Sequence, residues 1–136
     1  MGATRVLRSV VLDASALTEA SGPAAGLRLQ LRRAVSRGAS LHVSAATLTE
    51  VLRGHPRDVL IHRLLALLDV HVVDAAIGRA AGERIGRTGG RGNVTLDALV
   101  AEVAGSLPRP VAVFTADAND LRALVDPDVM VLDIAG

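Results

Sequence analysis

Five short apolar runs alternate with helical segments along this chain, and that alternation restricts the fold more than any other feature. Ser9-Val10-Val11-Leu12, Leu41-His42-Val43, Val70 to Val73, Val111 to Thr115 and Val129 to Ile134 each read as a strand. Between them lie segments with helical spacing. Ala14 to Glu19 is a helical turn broken at Gly22-Pro23, and Ala24 to Arg37 is a helix with Gly38 as its C-terminal stop. Ala45 to Arg53 and Arg57 to Leu68 read as two more helices, separated by Gly54 and Pro56. Asp74 caps Ala75 to Ile85, Asn93 is the candidate cap for Val94 to Ala104, and Asn119 to Val125 is short. Strands alternating with helices predict an α/β chain with a central parallel sheet covered on both faces. Such sheets carry their sites at the carboxyl ends of the strands.

Acids stand at those ends. Asp13 follows Val10-Val11-Leu12, and Asp117 lies just past Val111 to Thr115. Each has a local reading as a helix cap. Capping does not compete with ion binding, since both need an acid at a helix start. Two carboxylates on one edge repel unless a proton or cation intervenes, and hard oxygen ligands suit a divalent cation. Glu50 fits a capping box with Thr47, but a helix starting nearer Ser44 leaves it mid-helix. Asp97 sits in the first turn of a helix apolar nearly all round, where an unpartnered carboxylate is costly. Asp120 follows Asp117 by about one helical turn and faces either the same cleft or solvent.

Composition excludes other chemistries. The 136 residues suit one domain, and half are hydrophobic, which argues against disorder. All 15 basic residues are arginines, so a Walker A loop and Schiff-base lysine chemistry are excluded. The absence of cysteine removes disulfides and thiolate zinc sites and fits a cytoplasmic location. Met1 to Arg8 lacks the apolar run of a signal peptide, and no stretch reaches the length of a membrane span. Phe114 is the only Phe, Tyr or Trp, so a base-stacking platform is ruled out. His42, His55, His62 and His71 form no tight motif and read as structural or surface residues; no Ser-His-Asp arrangement suggests itself. Arg87 and Arg91 lie in a glycine-rich basic loop; with Arg53 they are candidate RNA contacts, or else plain surface residues.

Four segments in order carry a resemblance: Val-Val-Leu-Asp13-Ala-Ser-Ala-Leu, Thr47-Leu-Thr-Glu50-Val-Leu-Arg-Gly, Thr95-Leu-Asp97-Ala-Leu-Val-Ala and Val-Phe-Thr115-Ala-Asp117-Ala-Asn-Asp120-Leu. Together they resemble the PIN-domain ribonucleases, and most closely VapC-type toxins, from about Ser9 to the C-terminus. The resemblance implies a single PIN domain over residues 1–136, a three-layer α/β/α sandwich with a central parallel sheet. It implies Mg²⁺-dependent endoribonuclease activity, with Mn²⁺ able to substitute. Asp13, Asp97 and Asp117 then correspond to metal ligands, and Glu50 to a glutamate reaching the metal through water. Thr115, Asp120 and Ser15 are auxiliary. It also implies a VapB-type antitoxin, homodimerisation and an RNA substrate; the helices Ala24 to Arg37 and Arg57 to Leu68 offer surfaces for the protein contacts. Rival readings are a nuclease of RNA maturation or DNA cleavage, and a non-catalytic binding module. An aspartyl-nucleophile phosphatase fits poorly, because Asp13-Ala14-Ser15 lacks that family's second aspartate.

Overall fold

The computed structural model describes residues 6–90 and 92–135. Five parallel strands, β1 (Ser9–Leu12), β2 (Ser40–Ser44), β3 (Asp69–His71), β4 (Val111–Thr115) and β5 (Met130–Asp133), form one sheet in the order β3-β2-β1-β4-β5. The chain steps outward from β1 to β3, then crosses back to β4 and out to β5. The order therefore reverses between β1 and β4, and a crevice opens beyond their carboxyl ends.

Alternation along the strands divides the core in two. Val10, Leu12, Leu41, Val43, Ala112 and Phe114 face a layer built from α1 (Ala14–Ser21), α2 (Gly26–Ser36) and α4 (Val59–Leu65). Val11, Val111 and Val113 face the opposite layer, of α6 (Thr95–Gly105) and α7 (Ala118–Arg122), with α5 (Ala75–Arg87) packed on α6. The result is the three-layer α/β/α sandwich expected from the sequence. No helix among the described residues is long and apolar enough to cross a membrane.

Local capping explains several boundaries. Gly38, at φ +98°, ends α2 in a Schellman turn: its N–H bonds the Val35 carbonyl, and that of Ala39 bonds the Ala34 carbonyl. Asp74 caps α5, accepting from the Ile77 N–H at 2.9 Å. The segment after β2 departs from expectation. Ser44 opens a 3-10 turn, and the true α-helix α3 covers only Leu48–Val51. Asp58 is the cause: its Oδ2 gathers the N–H groups of Arg53, Gly54 and His55, and so folds the chain into a tight turn before α4. Thr47 caps nothing; its buried hydroxyl has no partner among the described residues.

One buried cation ties the α6 layer together. Arg84 of α5 donates to Glu102 at 2.6 Å, to the Leu124 carbonyl at 2.9 Å and to Asp126 at 2.9 Å. Its guanidinium passes so near the end of α6 that a Cβ on Gly105 would lie 2.6 Å from Nη2.

Candidate metal centre

The crevice at the strand reversal is lined by Asp13, Ser15, Glu50, Asn93, Asp97, Asp117 and Asp120, among others. Five carboxylates from four separate stretches of the sequence therefore share one cleft. Carboxylate oxygens of Asp97, Asp117 and Asp120 all lie within 4.8 Å of one another.

Asp13 is the rigid member. It continues β1 beside Thr115 at the end of β4, because the ladder pairs Leu12 with Phe114. Only 7% exposed, it caps α1, with Oδ1 accepting from the Ala16 N–H at 2.9 Å and from Ser15 Oγ at 2.6 Å. Oδ2 accepts from Thr115 Oγ1 at 2.5 Å and keeps a free lone pair. The two hydroxyls also brace the turn after β4: Ser15 Oγ accepts from the Ala116 N–H and Thr115 Oγ1 from the Asp117 N–H, both at 2.9 Å. Ser15 and Thr115 thus lock the loop that presents Asp117 to the β1–α1 junction.

Asp97 projects from the first turn of α6 and is half-buried. Burial, followed by repulsion from Asp13, Asp117, Asp120 and Glu50, pushes its pKa up to about 6. Asp117 is exposed, yet Asp120 beside it raises its pKa as well. Asp117 stands at the cap position of α7 but accepts no capping bond, so its carboxylate is left to the cleft. The local alternative of a helix cap holds for Asp13 and fails for Asp117.

Asp120, expected to be auxiliary, has its carboxylate grouped with those of Asp97 and Asp117, and Glu50, expected to reach the metal through water, is exposed at the cleft wall. Other expectations need correction. Asn93 does not cap α6; Val94 holds that position without a side-chain bond, and Asn93 lines the cleft instead. Arg87 is not in the loop but is the last residue of α5. Arg53 turns back on its own chain, donating to the carbonyls of Thr49 and Leu52. Neither arginine lines the cleft, and Arg91 lies outside the described residues.

The donor set fits a divalent ion. All the converging groups are hard oxygens, suited to Mg²⁺ or Mn²⁺. About an octahedral Mg²⁺ adjacent oxygens lie about 3 Å apart and opposite ones about 4.2 Å, so the Asp97, Asp117 and Asp120 oxygens, within 4.8 Å of one another, would draw together to share one ion. Among the described residues the ion pairs involve Arg84, Arg109 and His42, and none reaches these five acids. Among the described residues, no cation pairs with the negative charge of the cleft.

No protein-family model matches the chain, and neither does any curated protein. Solved structures do. A chain of VapBC2 from Rickettsia felis, solved with a promoter DNA fragment, aligns with TM-score 0.70 and 13% identity, over 92% of this chain and 98% of that one. A chain of DNA-bound VapBC from Salmonella typhimurium gives 0.69 and 19%, over 93% and 98%. A chain of FitAcB from Neisseria gonorrhoeae gives 0.66 and 21%, over 91% and 96%. At such identities the likeness speaks for architecture alone, and it gives this chain the PIN-like α/β fold of those structures.

Proposed function

We propose that this chain is a single PIN domain acting as a divalent-metal-dependent endoribonuclease, the toxin of a toxin–antitoxin pair. The observation that carries the reading is the convergence of Asp13, Glu50, Asp97, Asp117 and Asp120 at the strand reversal, with no arginine among the described residues that line their cleft. The resemblance of the four acidic segments to VapC-type toxins, and the fold shared with chains of VapBC and FitAB complexes, support the toxin role.

Asp97, Asp117 and Asp120 would hold the ion directly, with Asp13 at the buried wall and Glu50 reaching it through water. Mg²⁺ or Mn²⁺, when bound, supplies a water of lowered pKa and offsets charge on the phosphoryl oxygens. The chain's own part is placement. Thr115 and Ser15 fix the Asp13 carboxylate, and Asp117 is free to turn toward the phosphate. The acids repel RNA by themselves, so phosphate approach depends on cation loading. With no aromatic platform, recognition rests on phosphates, RNA shape and polar base contacts, and binding weakens with salt.

A VapB-type antitoxin would restrain the activity. Its docking segment would lie in the apolar groove beside α2 and α4, lined by Leu31, Val35, Leu64 and Leu67 together with Arg28 and Arg32. Ile61, Leu64 and Leu65 also pack against the core, so only part of α4 is available. Homodimerisation and a cytoplasmic location belong to the same reading.

The test is RNA-end sequencing after induced expression, with Asp13→Asn as control. The proposal expects new, discrete 5′ ends and growth arrest with the wild type only. Equal cleavage by purified Asp13→Asn or Asp97→Asn protein would refute it, as would wild-type cleavage undiminished by chelator.

A further inference from the structure

Two of the four histidines, 29 positions apart, meet on neighbouring strands. His42 Nδ1 on β2 and His71 Nε2 on β3 are 2.8 Å apart, with the rings tilted by 47°. The register explains the meeting. His42 pairs with Asp69, so Asp69 and His71, two residues apart on β3, project from the same face as His42. The Asp69 carboxylate lies 3.8 Å from the same His42 nitrogen and is 73% exposed.

Ser40 Oγ lies 3.3 Å from the Arg8 carbonyl and 2.6 Å from His42 Nε2. In the tautomer where Ser40 donates to that carbonyl, its oxygen accepts from His42 Nε2. With its proton on Nε2, His42 presents a bare lone pair at Nδ1 toward His71. A ring nitrogen oriented by an outer hydrogen bond is the usual arrangement of a metal-ligating histidine.

We propose that His42 Nδ1 and His71 Nε2 form a second metal site, one for an imidazole-preferring transition ion such as Zn²⁺, completed by Asp69 and water. At a Zn–N distance of 2.0–2.1 Å, tetrahedral ligand nitrogens lie about 3.3 Å apart. The pair must therefore open by roughly half an ångström, and His71 sits on an edge strand with one neighbour. The Asp69 oxygen near His42 lies more than 4.8 Å from His71 Nε2, so Asp69 must swing its exposed side chain to join both rings. His71 transfers its Nε2 proton to Nδ1 through solvent, so no net proton is released. The ligand chemistry separates this site from the acidic cleft, which suits oxygen-preferring ions and which neither histidine lines. Such an ion would clamp β3 to β2 and stabilise the folded chain. The inference is independent of the nuclease reading.

The experiment uses untagged Asp97→Asn protein, which disables the acidic cleft, titrated with Zn²⁺ by calorimetry and histidine-ring NMR. One equivalent should bind, shifting the ring nitrogens of His42 and His71 but not those of His55 and His62. His71→Ala, and the milder His71→Gln, should each weaken binding about tenfold or more, and Ser40→Ala about tenfold. Unchanged affinity in the folded His71 variants, equal shifts at His55 and His62, or no Zn²⁺ binding would overturn the proposal.

Discussion

Replacing Asp97 by asparagine should stabilise the ion-free chain and abolish its stabilisation by ions. The cleft holds the Asp97 pKa at about 6, against an ordinary aspartate value of 3.8. A difference of about two units corresponds to about 3 kcal/mol. Because Asp97 is only half-buried, solvent screening reduces that to about 1–2 kcal/mol. In a chelator near pH 7.5, Asp97→Asn should melt about 3–6 °C above wild type. The folded chain holds the Asp97 proton more tightly than the unfolded chain does. Ion-free wild type therefore recovers this stability as pH falls from about 6 toward 4, and the gap between the two proteins closes there. Adding Mn²⁺ at about 100 times its dissociation constant should reverse the order. Wild type then gains about 2.7 kcal/mol, and the variant gains little. Circular-dichroism melts at three pH values, with chelator or Mn²⁺, read both effects. A variant that melts below wild type in chelator at pH 7.5 would refute the repulsion argument.

Other perturbations test the surrounding structure. Asp120→Asn should weaken Mn²⁺ binding by about tenfold or more in calorimetry, since Asp120 belongs to the tightest acidic group. Thr115→Val removes the hydroxyl shared by Asp13 and the Asp117 N–H, and should cost about 1–3 kcal/mol in denaturant unfolding. Gly105→Ala forces Arg84 and Asp126 apart and should cost about 1–3 kcal/mol by the same assay. Apparent Mn²⁺ affinity should fall steeply below pH 6, as protons compete for Asp97.

Much of this architecture was legible in the sequence because its signals are local. Val10-Val11-Leu12 and Val111 to Thr115 announce buried strands, and an acid after each announces a site at the strand ends. Asp97 stood out as a carboxylate on an apolar helix. What escaped depends on three-dimensional register. Asp120, one turn beyond Asp117, was a candidate for the cleft, and choosing the cleft over solvent needed the direction in which α7 leaves β4. Asn93 looked like a cap, because an asparagine before a helix usually is one. The break of the third helix needed Asp58 to gather three backbone donors, which no spacing rule shows. The His42–His71 pair follows only from the parallel pairing of β2 with β3.

Crystals soaked in Mn²⁺ and measured at its absorption edge test the central claim most directly. The account predicts an anomalous peak among the oxygens of Asp97, Asp117 and Asp120, within reach of Asp13. Absence of a peak there at saturating Mn²⁺, with the same carboxylates in place, would contradict it.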